Sequence, residues 1–275
     1  MALFILFVTG IAYVFGQATG SGASWVGLAL IISGVMSLGS YYFSDQIVLT
    51  MSGAKEIFVK EDRALFDVVT NLSIAAGIPR PKIYLIEEAS PNAFATGRDP
   101  QHAVVCLTSG LREKLDRAEL EGVIAHELSH IGNFDTRFMA IVSILVGLVA
   151  MLADWFMRSL WWRDRDNDNN KAGSIFMVLG IILAIISPII AMLIQLSISR
   201  RREFLADANG AYITRYPEGL ARALEKLEQN KKVASFANNA TAHLFIISPF
   251  KGKDAASWFS GLFNTHPPIE ERIKL

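Results

Sequence analysis

The chain has 275 residues, 52% of them hydrophobic, and a mean hydropathy of +0.34, so it is greasier than an ordinary soluble domain and part of the surplus belongs in lipid. Lys and Arg number 26, as do Asp and Glu, which leaves no charge excess to hold nucleic acid or another polyanion. The single cysteine, Cys106, excludes an internal disulfide framework, suits a reducing compartment and, within the apolar run AVVCL, reads as core.

From the N-terminus, residues 1–16 and 25–43 are two uncharged apolar runs joined by the small polar linker QATGSGAS. A spanning helix needs about twenty apolar residues, so the pair predicts a transmembrane hairpin over 1–43. No basic n-region precedes the first run and a second span follows closely, which favours a span over a cleaved signal peptide. A second pair, 138–157 and 173–198, flanks the charged loop RSLWWRDRDNDNNK and predicts a second hairpin over 138–198. Asp154, the one charged residue inside the two apolar runs, lies near an end where a carboxylate reaches the interface. Four spans put the polar segments 44–137 and 199–275 on one side of the membrane, where they fold together. Lys55, Lys60, Arg63, Arg137 and Arg200 to Arg202 outnumber the basic residues of the 158–171 loop, a bias that makes this face cytoplasmic.

Within 44–137, EDRALFDVVTNLSIAAG reads as an amphipathic helix ended by Gly77 and the prolines at 79 and 81. KIYLIEE, NAFATG and HAVVCLTSGL read as strands separated by turn formers, which predicts a small antiparallel sheet. At Asp116 the period changes: Asp116 with Glu119 forms a capping-box pattern, and ELEGVIAHELSHI continues at helical spacing. His126 and His130 are therefore one helical turn apart and project from one face, where two nitrogen donors suit zinc. Glu127 beside them can take a proton from a water and return it to a leaving amine.

HExxH alone leaves room for a surface helix with two solvated histidines, and a catalytic zinc needs a third protein ligand. SRRREFLADANGA supplies two candidates four residues apart on a helix, Glu203 and Asp207, one to bind metal and the other to orient a histidine through its second ring nitrogen. Spacing does not rank them.

HELSHIGNFD, REFLADANGA and THPPIEERI resemble the signatures of HtpX-type membrane zinc proteases, relatives of the CaaX prenyl proteases, and the resemblance extends over nearly the whole chain. It implies an α+β membrane protein with four transmembrane helices in two hairpins and a mainly helical, gluzincin-like protease domain, holding one Zn2+ per chain. It implies Glu203 as third ligand, Asp207 as the acid that supports a histidine, and Asp135 as a further supporting acid. SPNAFATG resembles the edge strand that takes an extended substrate, with Asn92, Ala93 and Phe94 in contact; without the family, Asn92 is a turn residue. His266 and Arg272 match positions that polarise the scissile carbonyl, an oxyanion-stabilising role. The resemblance further implies misfolded membrane proteins as substrates, a lipid bilayer as partner, and a bacterial inner-membrane site with the catalytic face toward the cytoplasm. The start, MALFILF, departs from relatives that carry a basic residue ahead of the first span. His102 and His243 lack partner spacing and read as structural.

Two rival readings fit the sequence less well. A prenyl-protein protease needs a lipid-sized chamber that four spans do not suggest. A zinc scaffold or transporter needs a fourth ligand or ligands within the spans.

Overall fold

A computed structural model describes residues 24–139, 200–229, 245–246 and 267–274, together with the isolated positions 5, 6, 9, 10, 13 and 182. The chain divides into two compact units, residues 1–43 with 144–192 and residues 44–143 with 193–275.

In the first unit, residues 5, 6, 9, 10 and 13 are helical, and helix α1 (Ser24–Met51) begins; its last turns belong to the second unit. Leu30, Ile31, Ile32, Val35, Leu38 and Phe43 of α1 are exposed, so the helix presents apolar side chains outward. Among the described residues no helix is long and apolar enough to cross a membrane. The expected spans 1–16, 138–157 and 173–198 fall mostly outside the described residues, and α1 covers the remaining one, 25–43.

The second unit opens with strand β1 (Lys55–Glu56) and helix α2 (Arg63–Ala76). The Asp62 side chain accepts from the Leu65 amide to start α2, and Gly77, at φ 69°, ends it in the left-handed conformation that glycine adopts without cost. Strands β2 (Lys82–Ile86), β3 (Ala93–Thr96) and β4 (Val104–Thr108) follow, with a 3-10 turn at Pro100–His102 before β4. Short helix α3 (Ser109–Lys114) then leads to helix α4 (Arg117–Gly132), and helices α5 (Arg200–Thr214), α6 (Pro217–Glu228) and α7 (Ile269–Ile273) complete the unit.

The sheet is mixed, which corrects the antiparallel expectation. Its order is β1-β2-β4-β3, with β2 parallel to β4 and the two outer pairs antiparallel. The turn at Ser90 and Pro91 separates β2 from β3 without making them neighbours. Instead β3 folds back on β4, so β4 takes the place beside β2 and must run in the same direction. Strand β3 is left at the edge, with Ala93 opposite Leu107 and Thr96 opposite Val104. Cys106 is fully buried on β4, as its apolar run predicts.

Helix α4 starts with the anticipated capping box: Asp116 accepts from the Glu119 amide, and Glu119 accepts from the Asp116 amide. Glu119 also accepts from Lys226 Nζ at 2.6 Å, tying α4 to α6. Leu120, Val123, Ile124, Ala125, Leu128 and Ile131 are all buried, because α2 and β3 cover one side of α4 and α5 and α6 the other. Between Gly122 and Ile131 the helix is enclosed on every side and has no solvent face for polar residues, so His126, Glu127 and His130 are buried too. Close packing of α4 on α6 depends on Gly122, where a Cβ would stand 2.6 Å from the Leu220 backbone nitrogen.

Helix propensity favours alanine over glycine by about 1 kcal/mol, but backbone atoms cannot yield to a clash that close, and overpacking costs about 1–3 kcal/mol. Gly122→Ala is therefore expected to lower the thermal unfolding midpoint of the purified protein. An unchanged or raised midpoint would contradict the packing described.

Candidate metal centre

Helical spacing on α4 turns the His126 and His130 rings toward one point. Their Nε2 atoms stand 3.2 Å apart and the rings meet edge to face at 90°. From α5, Glu203 reaches the same point, with Oε1 3.4 Å from His130 Nε2 and Oε2 3.8 Å from His126 Nε2. One donor atom from each of the three residues lies within 4.8 Å of the others. All three side chains are buried. Gly210 permits this approach of the two helices, since a Cβ there would meet the His126 amide nitrogen at 3.2 Å. Asn209 adds a cross-link, donating to Ser129 Oγ at 3.0 Å.

The other ring nitrogen of each histidine is held by a carboxylate that is held in turn by an arginine. His126 Nδ1 lies 2.8 Å from Asp207 Oδ1, and Asp207 accepts from Arg272 Nε and Nη2 at 2.8 and 2.7 Å. His130 Nδ1 lies 3.1 Å from Asp135 Oδ2, and Asp135 Oδ1 accepts from Arg202 Nη1 at 3.0 Å. With both Nδ1 atoms directed at carboxylates, the inward Nε2 atoms face one another beside the Glu203 carboxylate. Such a donor set is satisfied by a cation between them, and two imidazoles with one carboxylate fit a divalent metal that keeps an open position.

The two histidines differ electrostatically. Burial lowers the His126 pKa to about 4 despite Asp207, because Arg272 already compensates that acid. Burial alone would also depress His130, but the Asp135 hydrogen bond and the Glu203 and Glu127 charges raise it to about 9. Burial lifts Glu127 to about 7, with the nearby Glu203 charge adding to it and His130 and the Ala95 amide, which hydrogen-bonds it, opposing. Asp207 is held down at about 2: its burial is overcome by its bonds to Arg272 and His126.

The structure thus gathers His126, Glu127, His130, Glu203, Asp207, Asp135 and Arg272 around one point. Arg272 is buried behind Asp207, with its Nη2 within 3.5 Å of His126. His266 and His243 lie outside the described residues. His102 is on the surface, paired with Asp99. Asn92 is buried at the head of β3; its backbone N–H donates to Thr108 Oγ1 and its Oδ1 accepts from the Ala93 amide. Arg202, hidden in the basic run RRR, carried no sequence signal beyond a stop-transfer cluster, and its bond to Asp135 appears only once α5 is folded against the end of α4. The contact of Ile246 with Ala93, an N–H···O bond of 3.0 Å, was likewise unforeseen.

The family model described as peptidase family M48 matches residues 59–275. Among curated proteins, the chain is 49% identical to a protease HtpX homolog of Dictyoglomus thermophilum over 86% of this chain and 75% of that one. It is 45% identical to that of Caldanaerobacter subterraneus subsp. tengcongensis over 100% and 91% of the two chains. The Pyrococcus furiosus homolog is 44% identical over 99% and 92%. A crystal structure of S. mikatae Ste24p superposes with a TM-score of 0.53 at 19% identity, covering 99% of this chain and 63% of that one, a likeness of fold alone.

Because His130 stays protonated up to about pH 9 in the metal-free site, a metal arriving at neutral pH must displace its proton. Calorimetric titration of metal-free protein with Zn2+ at pH 7.5, in buffers of different ionisation enthalpy, is expected to show release of about one proton per ion bound. Identical heats in every buffer would rule this out. Asp207→Ala is expected to weaken metal binding by roughly 10–100-fold, the usual cost of removing a carboxylate behind a ligating histidine.

Proposed function

The chain belongs to peptidase family M48 and is a metallopeptidase, and from that premise we propose that it is a membrane zinc endopeptidase cleaving extended segments of unfolded or misfolded membrane proteins. The observation that carries this reading is the convergence of His126 and His130 of α4 with Glu203 of α5, beside Glu127. Zinc bound there would act as a Lewis acid, polarising a water and the scissile carbonyl.

The chain's own residues supply the rest. Glu127, which burial lifts to about 7 in the metal-free site, stands beside the ligands, where it would take a proton from water and return it to the leaving amine. Asp207 and Asp135 hold the imidazoles in one orientation and tautomer, so the ligands are pre-set. Burial keeps His126 neutral, the form that can ligate, and Arg272 balances the Asp207 charge behind it. Edge strand β3 offers backbone groups to a peptide laid alongside it, a mode of binding tolerant of sequence and suited to unfolded chains. The apolar exposed surface of α1 supports a bilayer location, and the excess of Lys and Arg in the polar segments supports a cytoplasmic catalytic face.

Glu127→Gln should leave zinc bound while abolishing cleavage of casein or of the protein itself; unchanged proteolysis would sink the mechanism. Glu203→Ala should lose most of its zinc by elemental analysis, and full retention would remove it from the ligand set. A tag in the 158–171 loop should be labelled only from outside the cytoplasm.

A further inference from the structure

Helix α4 ends at Gly132, and the chain becomes helical again at Asp135. Between them Phe134 sits at φ 59°, a left-handed conformation that an L side chain adopts at a cost. The break is what brings Asp135 to the site. On an uninterrupted helix of 3.6 residues per turn, a residue five positions beyond His130 would be turned about 140° away from it. With the break, Asp135 Oδ2 lies 3.1 Å from His130 Nδ1, and its side chain is buried. An unfavourable backbone conformation held beside converging side chains points to a place where position matters more than local stability.

The second oxygen of that carboxylate is held from the other ligand-bearing helix. Arg202 Nη1 of α5 donates to Asp135 Oδ1 at 3.0 Å, and the guanidinium carbon lies 5.8 Å from the centre of the Phe138 ring. Arg202 is the residue before Glu203. Seven positions on, two turns along the same face of α5, Asn209 donates to Ser129 Oγ of α4 at 3.0 Å. The two bonds fix how α5 is rotated against the end of α4, and Glu203 and Asp207, on the adjoining face, are thereby turned to the two imidazoles. All three arginines of the run RRR reach solvent, but the Arg202 bond ends on a buried carboxylate. An exposed ion pair contributes little, whereas removing this cation leaves a buried carboxylate oxygen without its partner.

We propose that Arg202 is a positioning residue of the metal centre. By holding Asp135 it sets the His130 ring, and by the same bond it sets the rotation of α5 that aims Glu203 at both imidazoles. The inference rests on the reading of His126, His130 and Glu203 as the metal ligands. The row His130, Asp135, Arg202 is the counterpart of His126, Asp207, Arg272, except that its arginine is 46% exposed and that of the other row is fully buried.

Zinc affinity of the full-length protein in detergent, measured by competition with a chelating dye, tests this. Arg202→Ala should weaken binding roughly tenfold, the scale of losing support behind a ligating histidine, and Arg202→Lys, which keeps a charged donor, should recover most of the loss. Arg200→Ala removes the same charge from the same run and should change affinity by less than about twofold. Equal losses from Arg200→Ala and Arg202→Ala, or none from either, would overturn the proposal. In Asp135→Asn protein, Arg202→Ala should weaken binding no further, because the two side chains act in series; a full additional loss would refute the route through Asp135. Cobalt-loaded Arg202→Ala should show shifted visible absorption bands, the signature of a changed ligand arrangement. Unchanged bands with fewer sites filled would mean that Arg202 only stabilises the fold, and the assignment would fall. The underlying reading is checked separately by Glu203→Ala. If that variant keeps its zinc, the ligand set is wrong and the role of Arg202 goes with it; if it loses zinc while Arg202→Ala binds as tightly as the unaltered protein, only the role of Arg202 is removed.

Discussion

Two imidazole nitrogens 3.2 Å apart in a buried pocket, with a carboxylate beside them, are the constraint around which the second unit is arranged. Burying polar groups without partners costs several kcal/mol each, and buried charges cost more. The fold meets that cost in layers. Asp207 and Asp135 take the outward ring nitrogens, and Arg272 and Arg202 take the remaining carboxylate oxygens. Enclosure of α4 on all sides follows from the same need, because a solvated face would admit water to the donors and loosen the rings. The two close approaches of this helix, at Gly122 to α6 and at Gly210 on α5, make that enclosure sterically possible.

Much of this was legible in the sequence because it is local. The capping box at Asp116 and Glu119 placed the start of α4, and four-residue spacing then fixed which side chains share a face. What could not be read depended on partners distant in the chain. Strand identities were recoverable from apolar runs, but the direction of β4 relative to β2 is a property of which strand folds back on which, and turn residues do not encode it. Glu203 and Asp207 have the same charge and the same helical setting. Only packing shows that Glu203 faces both Nε2 atoms while Asp207 lies behind His126 with Arg272. Arg202 was unreadable for the same reason: a basic run after an apolar one has many uses, and the one found here needs Asp135, 67 residues earlier.

The two histidines, alike in the motif, are made unlike by what stands behind them. Asp207 is shared between His126 and a fully buried guanidinium, which leaves little attraction for a proton on that ring. Burial works against a proton on His130 as well, but there the Asp135 hydrogen bond and the Glu203 and Glu127 charges outweigh it. One histidine is thus ready to donate its lone pair, and the other holds a proton until something more strongly bound replaces it.

That asymmetry bears on Glu127. Without metal, the buried acids Glu127, Glu203, Asp207 and Asp135 face Arg272, Arg202 and a protonated His130, and Glu127 near its midpoint at pH 7 supplies the remaining balance. A divalent cation in place of the His130 proton raises the local charge by one, which favours the ionised form of the nearest uncoordinated acid. That acid is Glu127. In the proposed mechanism, ligation and activation of the base would then be one electrostatic event, set near Ala95 of the strand on which a peptide would lie.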